Sequence, residues 1–117
     1  MTAVASSGAV RDITIRNING RTVLSPQTSL THKNCDQLET LFNGLLKREV
    51  MEMVVDFTRV SFLDSRALEL MVDMQTQLQT KGGNLSLSNL NEVCRDILIC
   101  VRLINRFKVM AKVHGSS

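Results

Sequence analysis

Seven residues in the middle of the chain, Met51-Glu-Met-Val-Val-Asp-Phe57, limit the fold more than any others do. The run is apolar almost without alternation. A strand of that kind is buried on both faces, which places it at the centre of an α/β sheet with helices packed on it. One domain suffices for 117 residues. With 44% of residues hydrophobic, there is enough apolar material for a core, and disorder of the whole chain is ruled out.

The flanking patterns agree. Residues 1–9 are small and polar and read as a disordered tail, with the domain itself spanning 10–113. Ile13 and Ile15 alternate with Asp12, Thr14 and Arg16, as in a half-buried strand. Asn19-Gly20 then predicts a type I′ hairpin turn, because both residues tolerate positive φ. Pro26 closes the second strand. Cys35, Leu38, Leu41, Phe42 and Leu45 follow a 3.6-residue period, with Thr31 or Asn34 as N-cap and a stop near Lys47 or Arg48. After the central strand, Ala67, Leu70, Met71, Met74 and Leu78 make a second helical face, ended by Lys81-Gly82-Gly83. Leu85 and Leu87 alternate with Asn84, Ser86 and Ser88 in a short strand. Asn89 with Glu92 reads as a capping-box variant opening a third helix, whose face is Leu90, Val93, Ile97, Cys100, Val101 and Ile104. Lys108–Val113 is a candidate edge strand. The order ββ-α-β-α-β-α-(β) predicts a mixed β-sheet with an N-terminal antiparallel hairpin.

Several function classes fall away. Four Phe and no Trp or Tyr leave no stacking platform for single-stranded nucleic acid. The late cations Arg95, Arg102, Arg106, Lys108 and Lys112 face only Asp96 in sequence, but a net charge of +3 is mild and reads as a solvated face rather than a nucleic-acid surface. Cys35, Cys94 and Cys100 form neither a disulfide framework nor a zinc ligand set, and suit reduced thiols in the cytoplasm. No signal-peptide pattern and no membrane-length apolar run occurs, so a cytoplasmic location is expected. Phosphate-binding loops and nucleophile elbows are missing, and no cofactor is expected. His32 and His114 read as surface residues. A carboxylate pair drawn from Asp56, Asp64 and Asp73 is the one catalytic arrangement left open, and no spacing argues for it. The chain reads as a binding protein, not an enzyme.

One segment carries a specific signal, Asp56-Phe-Thr-Arg-Val-Ser-Phe-Leu-Asp64-Ser65-Arg-Ala-Leu68. A buried strand runs into a loop that ends in Asp-Ser at a helix start. There the Ser65 hydroxyl meets free backbone N–H groups and the positive end of a helix dipole. The plain structural reading makes Asp64 or Ser65 the N-cap, and it is compatible with a functional one. This segment resembles the signature of STAS domains, the family of anti-sigma factor antagonists, in which an apolar strand, an Asp or Asn and a short loop lead to Phe-x-Asp-Ser-Ser/Thr-Gly-Leu. Lys81-Gly-Gly-Asn-Leu-Ser-Leu, and Asn89 through Leu103-Ile-Asn-Arg-Phe, are similar to the family's later elements.

The resemblance implies a partner-switching regulator. Ser65 would be the residue phosphorylated by the partner, and Asp64 the acid that orders the loop. Thr58, Phe62, Asp64, Arg66 and Glu69 would make up the partner-binding surface. The implied partners are an anti-sigma factor or serine kinase-like ATPase and a serine phosphatase, with a homodimer left open. Two departures stand out. Arg66 replaces the family's second Ser or Thr, and Ala67 its Gly, so a long cation lies beside the phosphoacceptor. The alternative is a non-phosphorylated STAS scaffold or transport-accessory subunit that binds an ATPase or membrane complex constitutively.

Overall fold

The computed structural model describes residues 12–110. The predicted tail, and the part of the predicted last strand beyond Met110, lie outside them. Five strands stand in the order β1-β2-β3-β4-β5: Ile13–Ile18, Arg21–Pro26, Glu52–Asp56, Asn84–Ser88 and Lys108–Met110. β1 and β2 are antiparallel, and all later pairs are parallel. Helices α1 (Cys35–Lys47), α2 (Ser65–Thr80) and α3 (Glu92–Cys100) make the crossovers, and a 3₁₀ turn, Ile104–Arg106, precedes β5.

The hairpin forms as expected. Ile18 pairs with Arg21 across a two-residue loop in which Asn19 and Gly20 both take positive φ, 53° and 82°. β3 is the central strand, and Met53, Val54, Val55 and Phe57 are all buried. Leu24, Met53, Val55, Leu85 and Leu87 point to one face. They pack there on Leu38 and Phe42 of α1, on Leu70, Met71, Met74 and Leu78 of α2, and on Cys94 and Leu98 of α3. By strand alternation Val23, Ser25, Val54, Asp56, Ser86 and Ser88 point to the other face.

Each helix ends in a Schellman motif. After α2, Gly83 N–H donates to Leu78 C=O (2.7 Å) and Gly82 N–H to Gln79 C=O (3.1 Å), with Gly82 at φ 87°. The two glycines act differently: Gly82 supplies the left-handed φ, whereas a Cβ on Gly83 would overlap the Met51 carbonyl. Glu49 and Arg102 fill the equivalent left-handed position after α1 and α3, at φ 61° and 62°.

The short strand β4 forms as expected, with Ser86 and Ser88 buried along with Leu85 and Leu87. Three expectations need correction. Ile15 is exposed, because β1 is an edge strand and only Ile13 reaches the core. The N-cap of α3 is Asn91, whose side chain accepts from Cys94 N–H (2.7 Å), not Asn89. The inward face of α3 is Cys94 and Leu98, leaving Val93, Cys100 and Val101 exposed. The expected stripe assumed a helix continuing to Ile104. The chain instead leaves the helix at Arg102, and a nine-residue helix buries only the i, i+4 pair facing the sheet.

Candidate functional site

The loop from Phe57 to Asp64 is held by its neighbours rather than by any internal ladder. Ser29 Oγ accepts from both Ser61 N–H and Phe62 N–H (3.2 Å each). Leu30 and Leu63 form a parallel bridge, in which Leu30 N–H donates to Phe62 C=O and Asp64 N–H donates to Leu30 C=O. From the other side, Asn91 Nδ2 donates to the Val60 carbonyl (3.1 Å). Backbone groups fastened on two sides leave little freedom, so the loop presents a fixed surface.

At its end Asp64 is the N-cap of α2, with extended backbone, and Oδ1 accepts from Ala67 N–H (2.9 Å). Oδ2 accepts from His32 N–H (2.7 Å) and lies 3.4 Å from His32 Nδ1. Burial works against ionisation of this carboxyl, but the Ala67 and His32 donors outweigh it and hold its pKa below the ordinary value. His32 is exposed, as expected of a surface histidine, and the bridge at Leu30 brings it to an acid 32 positions away.

Ser65 occupies the first position of the 16-residue helix α2 and is exposed. Phe62 is also exposed, at 46%. Arg66 turns away to α1, where Nη2 meets Glu39 (3.2 Å) and Asp36 (3.6 Å). Glu69, one turn after Ser65, shares with it a shallow groove of about 640 Å³, floored by Leu68 and Val72 and bounded across by Val101 and Leu103. Ser65, Arg66 and Glu69 thus line one groove, which Asp64 caps at its helix start. Thr58 belongs to another cleft, where its backbone and side chain both bond Asp56. Asp56 and Asp64 have separate sets of partners, and among the described residues no cluster of His, Cys, Asp and Glu could hold a metal.

Sequence reasoning missed Ser29, His32, Asp36 and Glu39 as supports of the site, and Val101 and Leu103 as the groove's far wall. All reach it through contacts some 30 residues apart in sequence, for which no local pattern exists.

A mixed sheet with sequential strand order, and an exposed serine at a capped helix start beside a braced loop, define a small α/β domain built to present a surface. The chain belongs to the STAS-domain family, whose model matches residues 12–115. Among solved structures, it is similar to the Thermotoga maritima protein TM1081 (TM-score 0.81, 19% identity, covering 86% of this chain and 87% of the other). It is also similar to the Bacillus anti-sigma factor antagonist SpoIIAA in its unphosphorylated form (TM-score 0.68, 16% identity, 86% and 89%). A third is a sulfate transporter family protein from Wolinella succinogenes (TM-score 0.73, 14% identity, 84% and 82%). No curated protein sequence matches the chain. Among the described residues no helix is long and apolar enough to cross a membrane.

Proposed function

We propose that the protein is a partner-switching regulator, an anti-sigma factor antagonist that acts in the cytoplasm by binding and not by catalysis. Phosphorylation of Ser65 by a serine kinase-like anti-sigma partner turns it off, and a serine phosphatase restores it. The observation that carries this reading is the exposed Ser65 hydroxyl at the first position of α2, on a loop fastened by Ser29, Leu30, His32 and Asn91. A kinase must bring a γ-phosphate in line with the attacking oxygen, which needs this accessibility.

A phosphate adds about −1.5 to −2 charges and three acceptor oxygens. The N-terminus of α2 tolerates that charge, so the fold need not respond. The partner surface does respond: a dianion at the mouth of a groove floored by Leu68 and Val72 must be desolvated on docking, at a cost of several kcal/mol. Arg66, held by Glu39 and Asp36, is drawn away from that charge. The fold is similar to that of SpoIIAA in both its unphosphorylated and its phosphorylated form, with TM-scores of 0.68 and 0.67.

The test is partner binding by Ser65 variants, after capture of the partner from native lysate. Ser65→Asp weakens binding at least tenfold, about 1.4 kcal/mol, with little change in thermal midpoint, and Ser65→Ala binds constitutively. If both bind like the wild type, the switch is refuted. A second reading, a scaffold or transport-accessory domain that docks without phosphorylation, then leads. The likeness to the Wolinella succinogenes transporter-family protein favours that reading.

A further inference from the structure

A second cleft, of about 390 Å³, opens at the C-terminal ends of β2, β3 and β4, apart from Ser65 and its groove. In open α/β sheets, ligands are bound at the carboxyl ends of the strands. The volume suits a metabolite, not a macromolecule.

Asp56 forms its floor and is only 7% exposed. Its Oδ1 accepts from Thr58 N–H (3.0 Å), Thr58 Oγ1 (2.6 Å) and Asn89 Nδ2 (2.9 Å). Its Oδ2 accepts from Ser25 Oγ (3.3 Å) and Arg16 Nη2 (3.4 Å). Five donors saturate this carboxylate, so it has little acceptor capacity left for a ligand. Asn89, which contributes one of them, is held at φ 57°, an uncommon conformation kept where the end of β4 meets the cleft.

The rim has the opposite character. Arg16 uses only Nη2 on Asp56 and Ser25 and stays half-exposed, which leaves Nε and Nη1 free among the described residues. Arg59 lines the same cleft, is exposed, and has no carboxylate within ion-pair distance among the described residues. Two guanidinium groups therefore stand over a single saturated carboxylate.

We propose that this cleft binds a small phosphomonoester, whose phosphate is gripped by Arg16 and Arg59. With Asp56 counted the cleft keeps a surplus positive charge, which favours an anion, and a phosphate's three oxygens suit the forked guanidinium donors. The site includes neither Ser65 nor its groove, so it stands or falls independently of the switch.

The experiment is an NMR titration of the full ¹⁵N-labelled chain with glycerol 3-phosphate and, separately, inorganic phosphate. Glycerol and sodium chloride at matched ionic strength are the controls. The expected result is saturable shifts at the amides of Arg16, Ser25, Thr58 and Asn89, with a Kd of about 1 mM or tighter. Arg59→Gln, which touches none of the Asp56 bonds, weakens binding at least about tenfold while leaving the rest of the spectrum in place. Shifts that fail to saturate, that glycerol or salt reproduces, or that persist undiminished in Arg59→Gln would overturn the proposal.

Discussion

Gln75→Leu tests how the sheet is completed at β5. Gln75 is only 1% exposed although it lies in the middle of α2. Its Oε1 accepts from Leu85 N–H (2.8 Å), and its Nε2 donates to Leu85 C=O (3.2 Å), Asn84 Oδ1 (3.2 Å) and Arg106 C=O (2.8 Å). The parallel pairing of β4 with β5 begins only at Ser86 with Lys108. The amide therefore serves Leu85 as a strand would, one residue before β5 starts. Leucine keeps the size and removes every one of these bonds. Asn84 is half-buried and Arg106 exposed, so their oxygens can turn to water, but the Leu85 N–H and C=O are buried. Each buried group left unpaired costs about 1–3 kcal/mol, and the added apolar burial returns roughly 1–2 kcal/mol. For the two Leu85 groups the expected net loss is about 1–4 kcal/mol, or a fall in midpoint on the order of 10 °C for a domain of this size. Urea unfolding measures the loss, and hydrogen exchange at the Leu85 amide reports the local bond. A loss under about 1 kcal/mol with Leu85 still protected would refute the reasoning.

Two further outcomes are expected. Burial opposes ionisation of Asp56, but the Asn89, Thr58 and Ser25 donors prevail and hold its pKa below the ordinary value. Its contribution is therefore complete above the unfolded pKa of about 4 and is lost as pH falls through the folded one; denaturant unfolding of Asp56→Asn should show a weaker loss of stability between about pH 6 and pH 3 than the wild type shows. Among the thiols, Cys35 and Cys94 are buried, and burial pushes Cys94 up to about 11, while Cys100 is exposed. A disulfide-exchange reagent near pH 8 should react rapidly with one thiol, which Cys100→Ser abolishes, and with the other two only after unfolding; rapid reaction of two or three thiols in the native protein would contradict the burial.

Where one strong local pattern met one structural requirement, the residues alone were enough. The run 51–57 is apolar at all but Glu52 and Asp56, so it had to lie inside the sheet. Asn19-Gly20 accepts the two positive φ angles of a tight hairpin. The spacing of Ala67 through Leu78, with Asp64 before it and two glycines after it, marks both ends of α2 and exposes Ser65 at its start. The third helix was harder, because it is apolar on more than one side: periodicity could not select Cys94 and Leu98 over Val93, Ile97 and Val101 until the break at Arg102 set how the helix meets the sheet. Gln75 falls between the apolar positions of α2 and carries no local sign of its role, since its partners lie on β4 and after α3. His32, Ser29 and Glu39 gave no local sign of belonging to the site. Their partners stand 27 to 33 positions away, and only the closing of the β2–α1 segment onto the β3–α2 loop brings them within a hydrogen bond. Helix, strand and turn follow from steric and hydrophobic preferences over a few neighbouring residues, whereas a polar side chain takes its role from whichever distant group the folded backbone sets against it.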